Sequence, residues 1–233
     1  MLTDKERKRY NRQLLLPDFT EEHQRKLKES KVLVVGAGGL GSVVLTYLSR
    51  TGIGNIGIVE FDQVDETNLH RQVLYNETEI GATKIDIAIK KLKAGNSNTS
   101  FSLYNEKLNE ENVNKIFSKY DIIADCTDNF TTRYLINDIS AELGKSVVFA
   151  SVANYEGQVT ILNYKKKVNY RDIFSERPNG MAIKGVLPTS LPIIGGIQTN
   201  EIIKMITGIG EVLDGKLLIY NILNNSQHIL KIK

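Results

Sequence analysis

Cysteine and tryptophan are nearly missing from this chain. Its 233 residues include one cysteine, Cys126, and no tryptophan. A single cysteine excludes an intrachain disulfide framework and any zinc site built from two Cys-x-x-Cys pairs, and it fits a reducing compartment. The histidines at positions 23, 70 and 228 are too scattered to show the spacing of metal ligands.

The sequence also lacks a strong excess of one charge and any signal for export. Lys and Arg total 30 against 27 Asp and Glu, and a net charge of +3 is too small for a nucleic-acid-binding signature. Residues 1–10 are charged, with no apolar core of a signal peptide. The longest uncharged stretch, 32–49, contains four glycines that break it into strand, turn and helix. We therefore expect a cytoplasmic protein that binds neither nucleic acid nor a membrane.

Apolar runs alternate with helical patterns along most of the chain. The patterns predict strands at 32–35, 56–61, 100–104, 121–124 and 146–151, with helices at 40–51, 82–94, 110–118 and 131–143 between them. Such alternation predicts right-handed βαβ units and a doubly wound, mostly parallel, Rossmann-like α/β sheet. Beyond Ser151 we expect antiparallel strands at 158–163, 216–220 and 227–232, and a helix at 192–206.

No internal repeat or convincing linker divides the chain, so we expect one domain over 1–233. Residues 1–30 form an N-terminal helical arm, in which Thr3 and Glu6 make a capping box and Thr20 caps a second helix. Residues 31–151 form a nucleotide-binding half. Residues 152–233 form a second half, with a long candidate functional loop at 163–190.

A glycine-rich motif lies between the first predicted strand and its helix. It has the spacing G-x-G-x-x-G and consists of Gly36, Gly38, Gly39 and Gly41. Glycines there permit a tight turn and let backbone N–H groups approach a phosphate, and Glu60 stands where an acid can bond a ribose hydroxyl. The motif predicts a site for a nucleotide, which could be NAD or ATP. The simpler interpretation is a glycine-rich turn that binds no ligand.

Polar and charged residues follow the second and fourth predicted strands, where the sheet edge would bring them over the same crevice. Cations and an acid that converge on a nucleotide suit a triphosphate with Mg²⁺ better than hydride transfer. Taken one at a time, Arg71 and Lys84 could be solvated surface charges and Asp128 a helix cap. The set comprises Asp62, Asn68, Arg71, Gln72, Lys84, Asp128 and Asn129.

Several of these motifs together resemble the ThiF/MoeB/HesA family, bacterial relatives of the ubiquitin-activating enzymes. The resemblance runs from about Arg7 to about Leu223. Its motifs lie at 9–13, 36–41, 68–72, 81–84, 125–129 and 195–204.

The resemblance implies an adenylyltransferase. Members use Mg·ATP to adenylate the C-terminal glycine of a ubiquitin-like sulfur carrier of ThiS or MoaD type, which ends in Gly-Gly, and release pyrophosphate. Residues 152–233 would then bind the carrier.

The same resemblance implies roles for individual residues. Gly39 and Glu60 would hold the nucleotide and its ribose, Asp128 would hold Mg²⁺, and Asn129 would line the site. Arg12 would reach into the neighbouring subunit's site, which implies a homodimer. The phosphates would be bound by Asn68, Arg71, Gln72 and Lys84.

The sequence departs from the family pattern at three places. Glu60 replaces the aspartate usual at the ribose position. Asn169 and Asp172 stand where a first zinc-binding cysteine pair is usual, so we expect no zinc. The loop at 163–190 has no cysteine to bond a carrier, and we expect Cys126 to be buried. A separate sulfurtransferase would then supply the sulfur.

Two other functions compete with adenylation. An NAD-dependent oxidoreductase would use the glycine loop and Glu60, but would leave Arg12, Arg71, Lys84 and Asp128 without a joint purpose. A non-catalytic nucleotide-binding module would explain the missing zinc ligands and loop cysteine, although every adenylation residue is present. The sequence leaves open whether the carrier is ThiS-like or MoaD-like and what donates the sulfur.

Overall fold

The structure, a computed structural model, describes residues 1–174 and 185–232. The long loop predicted at 163–190 is therefore only partly covered, since 175–184 lie outside the described residues. No helix in the described ranges is long and apolar enough to cross a membrane.

The described residues form one sheet of eight strands, in the order β3-β2-β1-β4-β5-β6-β7-β8. The first five strands of this order are mutually parallel, and β5, β6, β7 and β8 pair antiparallel. The predicted doubly wound sheet with C-terminal antiparallel strands is confirmed. The strands are β1 Lys31–Val35, β2 Asn55–Val59, β3 Ser100–Tyr104, β4 Ile122–Asp125, β5 Ser146–Ala153, β6 Glu156–Leu162, β7 Lys216–Asn221 and β8 Ser226–Lys231.

The main helices lie within one to three residues of their predicted bounds. Two short helices, α2 and α8, are not predicted by the sequence, because four residues are too few to show a helical period. The helices are α1 Asp4–Arg9, α2 Asn11–Leu14, α3 Glu21–Glu29, α4 Gly39–Thr51, α5 Lys84–Gly95, α6 Val113–Phe117, α7 Phe130–Glu142, α8 Tyr170–Ile173 and α9 Ser190–Thr207.

Helices cover both faces of the inner parallel strands, of which β1 and β4 are buried and apolar on both sides, whereas the edge strand β3 is mostly exposed. Along β1, Val32 and Val34 belong to one apolar cluster, with side chains of α4, α5 and α9. Leu33 and Val35 point the other way, into a cluster with α6, α7 and α8. A strand with both faces buried reads as a continuous apolar run, which is why β1 could be predicted from its sequence.

Buried hydrogen bonds fix the N-terminal arm to the end of α4. The side-chain amides of Gln13 and Gln24 both donate to the carbonyl of Thr51, at 3.0 Å each. Asn96 donates to the hydroxyl of Tyr10 at 2.9 Å and to the carbonyl of Ser49. These bonds satisfy carbonyls in the last turn of α4 and set the direction in which α2 leaves the body.

The residues at the place of the missing cysteine pair form a helix cap. Asn169 accepts from the backbone N–H of Arg171 at 2.8 Å, and Asp172 accepts from the N–H of Asn169 at 2.8 Å. This reciprocal capping box starts α8. Across 1–174 and 185–232, no three His, Cys, Asp or Glu side chains come together as a metal site. The expectation of no zinc stays a prediction.

Candidate functional site: a cleft at the strand ends

A cleft of about 1460 Å³ opens over the carboxyl ends of the parallel strands. It lies where the sheet order reverses, between β1 and β4, the position at which open α/β sheets bind their ligands. Most of the predicted site residues line it, namely Gly36, Gly38, Gly39, Glu60, Asp62, Arg71, Gln72, Lys84, Asp128 and Asn129. Gly41 supports the loop from within α4, and Asn68 lies in the segment that also carries Arg71.

The glycine loop is too compact for side chains at two positions. Gly36 has a φ of +93°, in the region that favours glycine. A Cβ on Gly41 would lie 1.9 Å from the carbonyl oxygen of Gly36. The loop leads into α4, whose N-cap Gly38 supplies no side-chain hydrogen bond. The first N–H groups of α4 are thus left for an anion.

The Glu60 carboxylate is already engaged by the protein's own backbone. The strand β2 ends at Val59, two residues earlier than predicted, so Glu60 begins the following turn. One oxygen accepts from Ala37 N at 2.8 Å, and the other accepts from the N–H groups of Phe61 and Asp62 at 2.8 and 2.9 Å. Only 6% of Glu60 is exposed. This role of the Glu60 carboxylate, which fixes the backbone of the glycine loop, could not be predicted from the sequence.

The segment between β2 and α5 brings a buried amide and a guanidinium to the cleft. Gln72 is 5% exposed, and within the described residues its Oε1 is buried with no hydrogen-bond partner. Its amide lies close to Gly38, where an added Cβ would be 3.4 Å from Nε2. Arg71 donates to the carbonyl of Thr67 at 2.7 Å, which closes the turn that holds both side chains. An unsatisfied buried amide beside a glycine loop suits a polar ligand.

Lys84 is a buried cation at the start of α5. Its side chain is 4% exposed, and its ammonium lies 3.3 Å from Asp62, whose side chain is half exposed. The backbone fixes this pair, because Lys84 N donates to the carbonyl of Asp62 at 2.9 Å. Lysine is almost never buried without firm pairing, so a deeply placed ammonium with one long contact is suited to an anionic ligand.

The turn after β4 presents one exposed carboxylate to the cleft. Asp125 is buried and accepts from the N–H and hydroxyl of Thr127 at 3.0 and 2.7 Å, which shapes the turn. Asp128 is exposed, whereas Asn129 caps α7 by accepting from Thr132 N at 2.9 Å. The helix cap in this motif is thus Asn129, and Asp128 is left to face the cleft.

Cys126 is buried at the base of the same turn, as predicted. It is 8% exposed, and its Sγ lies 3.5 Å from the Gln198 side-chain oxygen. Burial, with the nearby Asp125 carboxylate, raises the pKa of the Cys126 thiol well above its ordinary value. A reactive cysteine needs exposure and a lowered pKa, and this one has neither.

Arg133 lines the cleft and was not identified from the sequence. It donates from Nη2 to the carbonyl of Thr127 at 2.8 Å, and its guanidinium lies 5.3 Å from the ring centre of Phe149. Within the described residues, its buried Nε has no partner. In sequence Arg133 is one charge in an amphipathic helix, and the only available signal was its place five residues after Asp128.

Arg12 lies outside this cleft. It is exposed on α2, and it is not among the residues that line the cleft of its own chain. Leu15 and Leu16, just beyond α2, are 66% and 56% exposed. The arm therefore presents an exposed cation beside two exposed leucines.

Comparison with known proteins identifies the family of the chain. The ThiF family profile matches residues 10–233, nearly the whole chain. The chain belongs to the ThiF family. It is 40% identical to the sulfur carrier protein adenylyltransferase of Thermus thermophilus, over 96% of this chain and 86% of that protein.

Other members of the ThiF family that resemble the chain are longer. It is 41% identical to a probable adenylyltransferase/sulfurtransferase, MoeZ of Mycobacterium tuberculosis, over all of this chain and 62% of MoeZ. It is also 41% identical to the adenylyltransferase and sulfurtransferase MOCS3 of Xenopus laevis, of which it covers 52%. The chain thus spans between half and two thirds of the length of these two relatives.

Solved structures agree on the fold of the ThiF chain. A structure of PaaA matches 99% of this chain and 75% of its own with a TM-score of 0.84 and 26% identity. Escherichia coli MccB with MccA-N7isoASN matches with a TM-score of 0.87 over 97% of this chain and 72% of that chain. At 22% identity, the second likeness concerns the fold alone.

Proposed function

We propose that this ThiF-family chain uses ATP to adenylate the C-terminal glycine of a ubiquitin-like sulfur carrier. One observation carries the proposal: the buried Lys84, the Gln72 amide nitrogen beside Gly38, the uncapped glycine loop and the exposed Asp128 all face one cleft. An oxidoreductase would need the glycine loop but not this set of cations around it.

The donors in the cleft fit a triphosphate. The N–H groups at the start of α4 would hold phosphate oxygens, with Lys84, Arg71, Gln72 and Asn68 around them. The ribose would lie near Glu60 and Asp62, where β2 ends. Glu60 keeps lone pairs for a ribose hydroxyl even though its oxygens already accept three backbone N–H groups.

The chemistry of Asp128 fits Mg²⁺ held mainly by a nucleotide. Mg²⁺ binds through one or two carboxylates and completes its shell with phosphates and water, so a single exposed aspartate suffices. When bound there, the ion would neutralise negative charge on the phosphates. Asn129 would line the site while it caps α7.

The proposed reaction joins two anions, so its main barrier is electrostatic. The carrier carboxylate would attack the α-phosphorus, and pyrophosphate would leave. Lys84 and Arg71 would stabilise the charge that builds on the phosphates, from positions fixed before the reaction. This chemistry needs no nucleophile from the protein. The reaction therefore does not require the buried Cys126 to be reactive.

The antiparallel half would receive the carrier. The β5–β6 turn and the β7–β8 turn are joined by a 2.9 Å hydrogen bond from Ile222 N to the carbonyl of Tyr155. Both turns reach the cleft, and both expose apolar side chains, with Tyr155 at 46% and Leu223 at 69%. An extended carrier tail would lie along these joined turns on its way to the nucleotide.

Arg12 would complete the site of a second copy of the chain. Its own cleft does not include it, and the exposed Leu15 and Leu16 beside it suit a contact with another subunit. We therefore propose a homodimer in which each arm supplies one cation to its partner's phosphates.

The proposal is tested by exchange of labelled pyrophosphate into ATP. We expect exchange when a ThiS-like or a MoaD-like carrier ending in Gly-Gly is added, and none with the same carrier lacking its last glycine. Running both carriers in parallel also identifies the substrate. Absence of exchange with either carrier, in a protein that remains folded, would contradict adenylation.

The source of sulfur is tested at Cys126. Because its thiol is buried and its pKa is raised, we propose that a separate sulfurtransferase supplies the sulfur. The variant Cys126→Ala should keep pyrophosphate exchange. It should also yield carrier thiocarboxylate once a persulfide donor is added, which displaces AMP to form an acyl disulfide, together with a reducing thiol that cleaves the S–S bond. A covalent carrier adduct at Cys126 in the wild type would place the thiol in sulfur transfer.

A further inference from the structure

Both backbone groups of Ala37, in the glycine loop, are hydrogen-bonded. Its N–H, in the peptide group with Gly36, donates to Glu60 Oε2 at 2.8 Å, and its carbonyl, in the peptide group with Gly38, accepts from the Tyr75 hydroxyl at 2.9 Å. Ser42 Oγ lies 3.3 Å from the same carbonyl. Ala37 is fully buried, so water does not compete for these bonds, which fix the two peptide groups that flank it.

Two different segments supply these bonds. Glu60 follows β2, while Tyr75 lies beyond Gln72 in the long connection to α5 and is 6% exposed. That connection is itself held to α5, because the ammonium of Lys91 donates to the carbonyl of Leu74 at 2.6 Å and pairs with Glu79 at 2.7 Å. The position of Tyr75 is thus fixed independently of the glycine loop.

The Tyr75 hydroxyl is a permanent donor. Burial raises the pKa of Tyr75 far above its ordinary value, and the carboxylates of Glu60, Asp62 and Glu79 add to the effect. The hydroxyl therefore keeps its proton, and it donates that proton to the Ala37 carbonyl.

We propose that Tyr75 is a positioning residue that, opposite Glu60, holds the Ala37 peptide so that the next N–H groups of the loop face the nucleotide phosphates. The inference rests on the proposed function insofar as it places a nucleotide triphosphate in the cleft. It also links the connection that carries Arg71 and Gln72 to the loop, so that phosphate donors from both elements keep a fixed spacing.

The test removes one hydroxyl and little else. In Tyr75→Phe the ring still fills its buried site, and Ser42 still bonds the Ala37 carbonyl, so the protein should fold. The control is Tyr120→Phe, which removes another buried hydroxyl, 3.0 Å from that of Tyr104. Tyr120 does not line the cleft. Melting temperatures of the two variants measure how much each change affects the fold as a whole.

Calorimetry measures the affinity for ATP, which a purely structural role of Tyr75 would leave unchanged. For Tyr75→Phe we expect a Kd for ATP raised about three- to tenfold, with a similar loss for 2′-deoxy-ATP and none for adenosine. The KM for ATP in pyrophosphate exchange should rise by the same factor, with kcat nearly unchanged. The Tyr120→Phe variant should bind all three ligands like the wild type.

The outcomes separate this inference from the proposed function. Wild-type affinity for ATP in Tyr75→Phe would overturn the positioning role, as would an equal loss in Tyr120→Phe. A loss that is equal for adenosine and ATP would also overturn it, because the loop contacts phosphates only. A wild type that binds ATP but never exchanges pyrophosphate contradicts adenylation, while the binding comparison still tests Tyr75.

Discussion

The inner parallel strands and the last antiparallel strand of the sheet differ in how far they are covered. In β1 and β4 nearly every residue is buried, between helices on both faces. In β8 five of six residues are exposed, including Ile229 and Leu230 at 53% and 51%. In the cleft, the parallel half supplies the cations and Asp128, and the antiparallel half supplies Tyr155 and Leu223 at its edge.

This difference corresponds to two physical requirements. Groups that stabilise transition-state charge must be fixed beforehand and shielded from water, and a sheet covered on both faces achieves this at its strand ends. A surface that receives a protein partner must remain open and partly apolar. We therefore expect changes in the parallel half to lower catalysis, and changes in the antiparallel half to lower affinity for the carrier.

The largest effect is expected at the end of β4. The substitution Asp128→Asn removes the proposed Mg²⁺ ligand and should abolish pyrophosphate exchange. Because Asp128 is exposed and no hydrogen bond within 1–174 and 185–232 depends on it, the melting temperature should stay unchanged.

A matched control lies at the other end of the same strand. Asp121 precedes β4 and accepts from Lys31 N at 3.1 Å, far from the cleft. The Asp121→Asn variant should exchange pyrophosphate like the wild type. Equal activity in both variants would show that the carboxylate of Asp128 has no part in the reaction.

The next effect concerns the arm. Arg12→Ala should be nearly inactive, since a phosphate-clamping arginine contributes several orders of magnitude. Mixed with inactive Asp128→Asn, it should recover about a quarter of wild-type activity, because half of the dimers are then mixed and each has one intact site. No recovery, despite subunit exchange proven by mass spectrometry, would place Arg12 in its own subunit's site.

A moderate effect is expected at the edge of the antiparallel half. Leu223→Gln should raise the KM for the carrier by about three- to tenfold, through loss of apolar contact, and leave the KM for ATP unchanged. Leu103→Gln is the control, because Leu103 is 40% exposed on the opposite edge strand β3 and does not line the cleft. A rise in the KM for ATP alone would contradict the division of roles.

The smallest effect concerns stability and pH. Burial raises the pKa of Asp125 above its ordinary 3.8, although the nearby Arg133 opposes the shift. The folded state therefore binds this proton more tightly than the unfolded state, and ionisation destabilises the fold as pH rises from about 4 through the raised pKa. Asp125→Asn cannot ionise, yet its side-chain oxygen can still accept from Thr127.

Thermal unfolding across this pH range checks whether ionisation of Asp125 destabilises the fold. The melting temperature of Asp125→Asn, relative to wild type, should rise by a few degrees as pH increases, and then level off. A relative melting temperature that falls with rising pH would mean that Arg133 outweighs burial at Asp125.

Much of the fold and most of the cleft could be predicted where the determinants are local. The apolar run of β1, the glycines at 36–41 and the end of α4 at Gly52 are signals contained in a few adjacent residues. Strands with both faces buried carry such signals most clearly. The meeting of Lys84 and Asp128 also follows from local signals, since Lys84 begins a helix and Asp128 follows a strand of one parallel sheet. Arg71 reaches the same cleft from the middle of the connection between β2 and α5.

Other features depend on contacts between residues far apart in the chain. Glu60 looks like a ribose ligand in sequence, and only its distances to Ala37, Phe61 and Asp62 reveal that it braces the loop. In the sequence, Arg133 is one charge on an amphipathic helix. Only the structure shows that it bonds the carbonyl of Thr127 and lies beside the ring of Phe149.

Local patterns in the sequence determine the order of strands and helices and the residue types at the strand ends. They do so because propensity, capping and apolar periodicity act over a few residues. The fold sets the orientation of the arm through Gln13 and Gln24 on Thr51, and the orientation of the glycine loop through Tyr75 on Ala37. Those bonds join segments some thirty or forty residues apart, and a buried donor finds its acceptor only when the whole chain has packed.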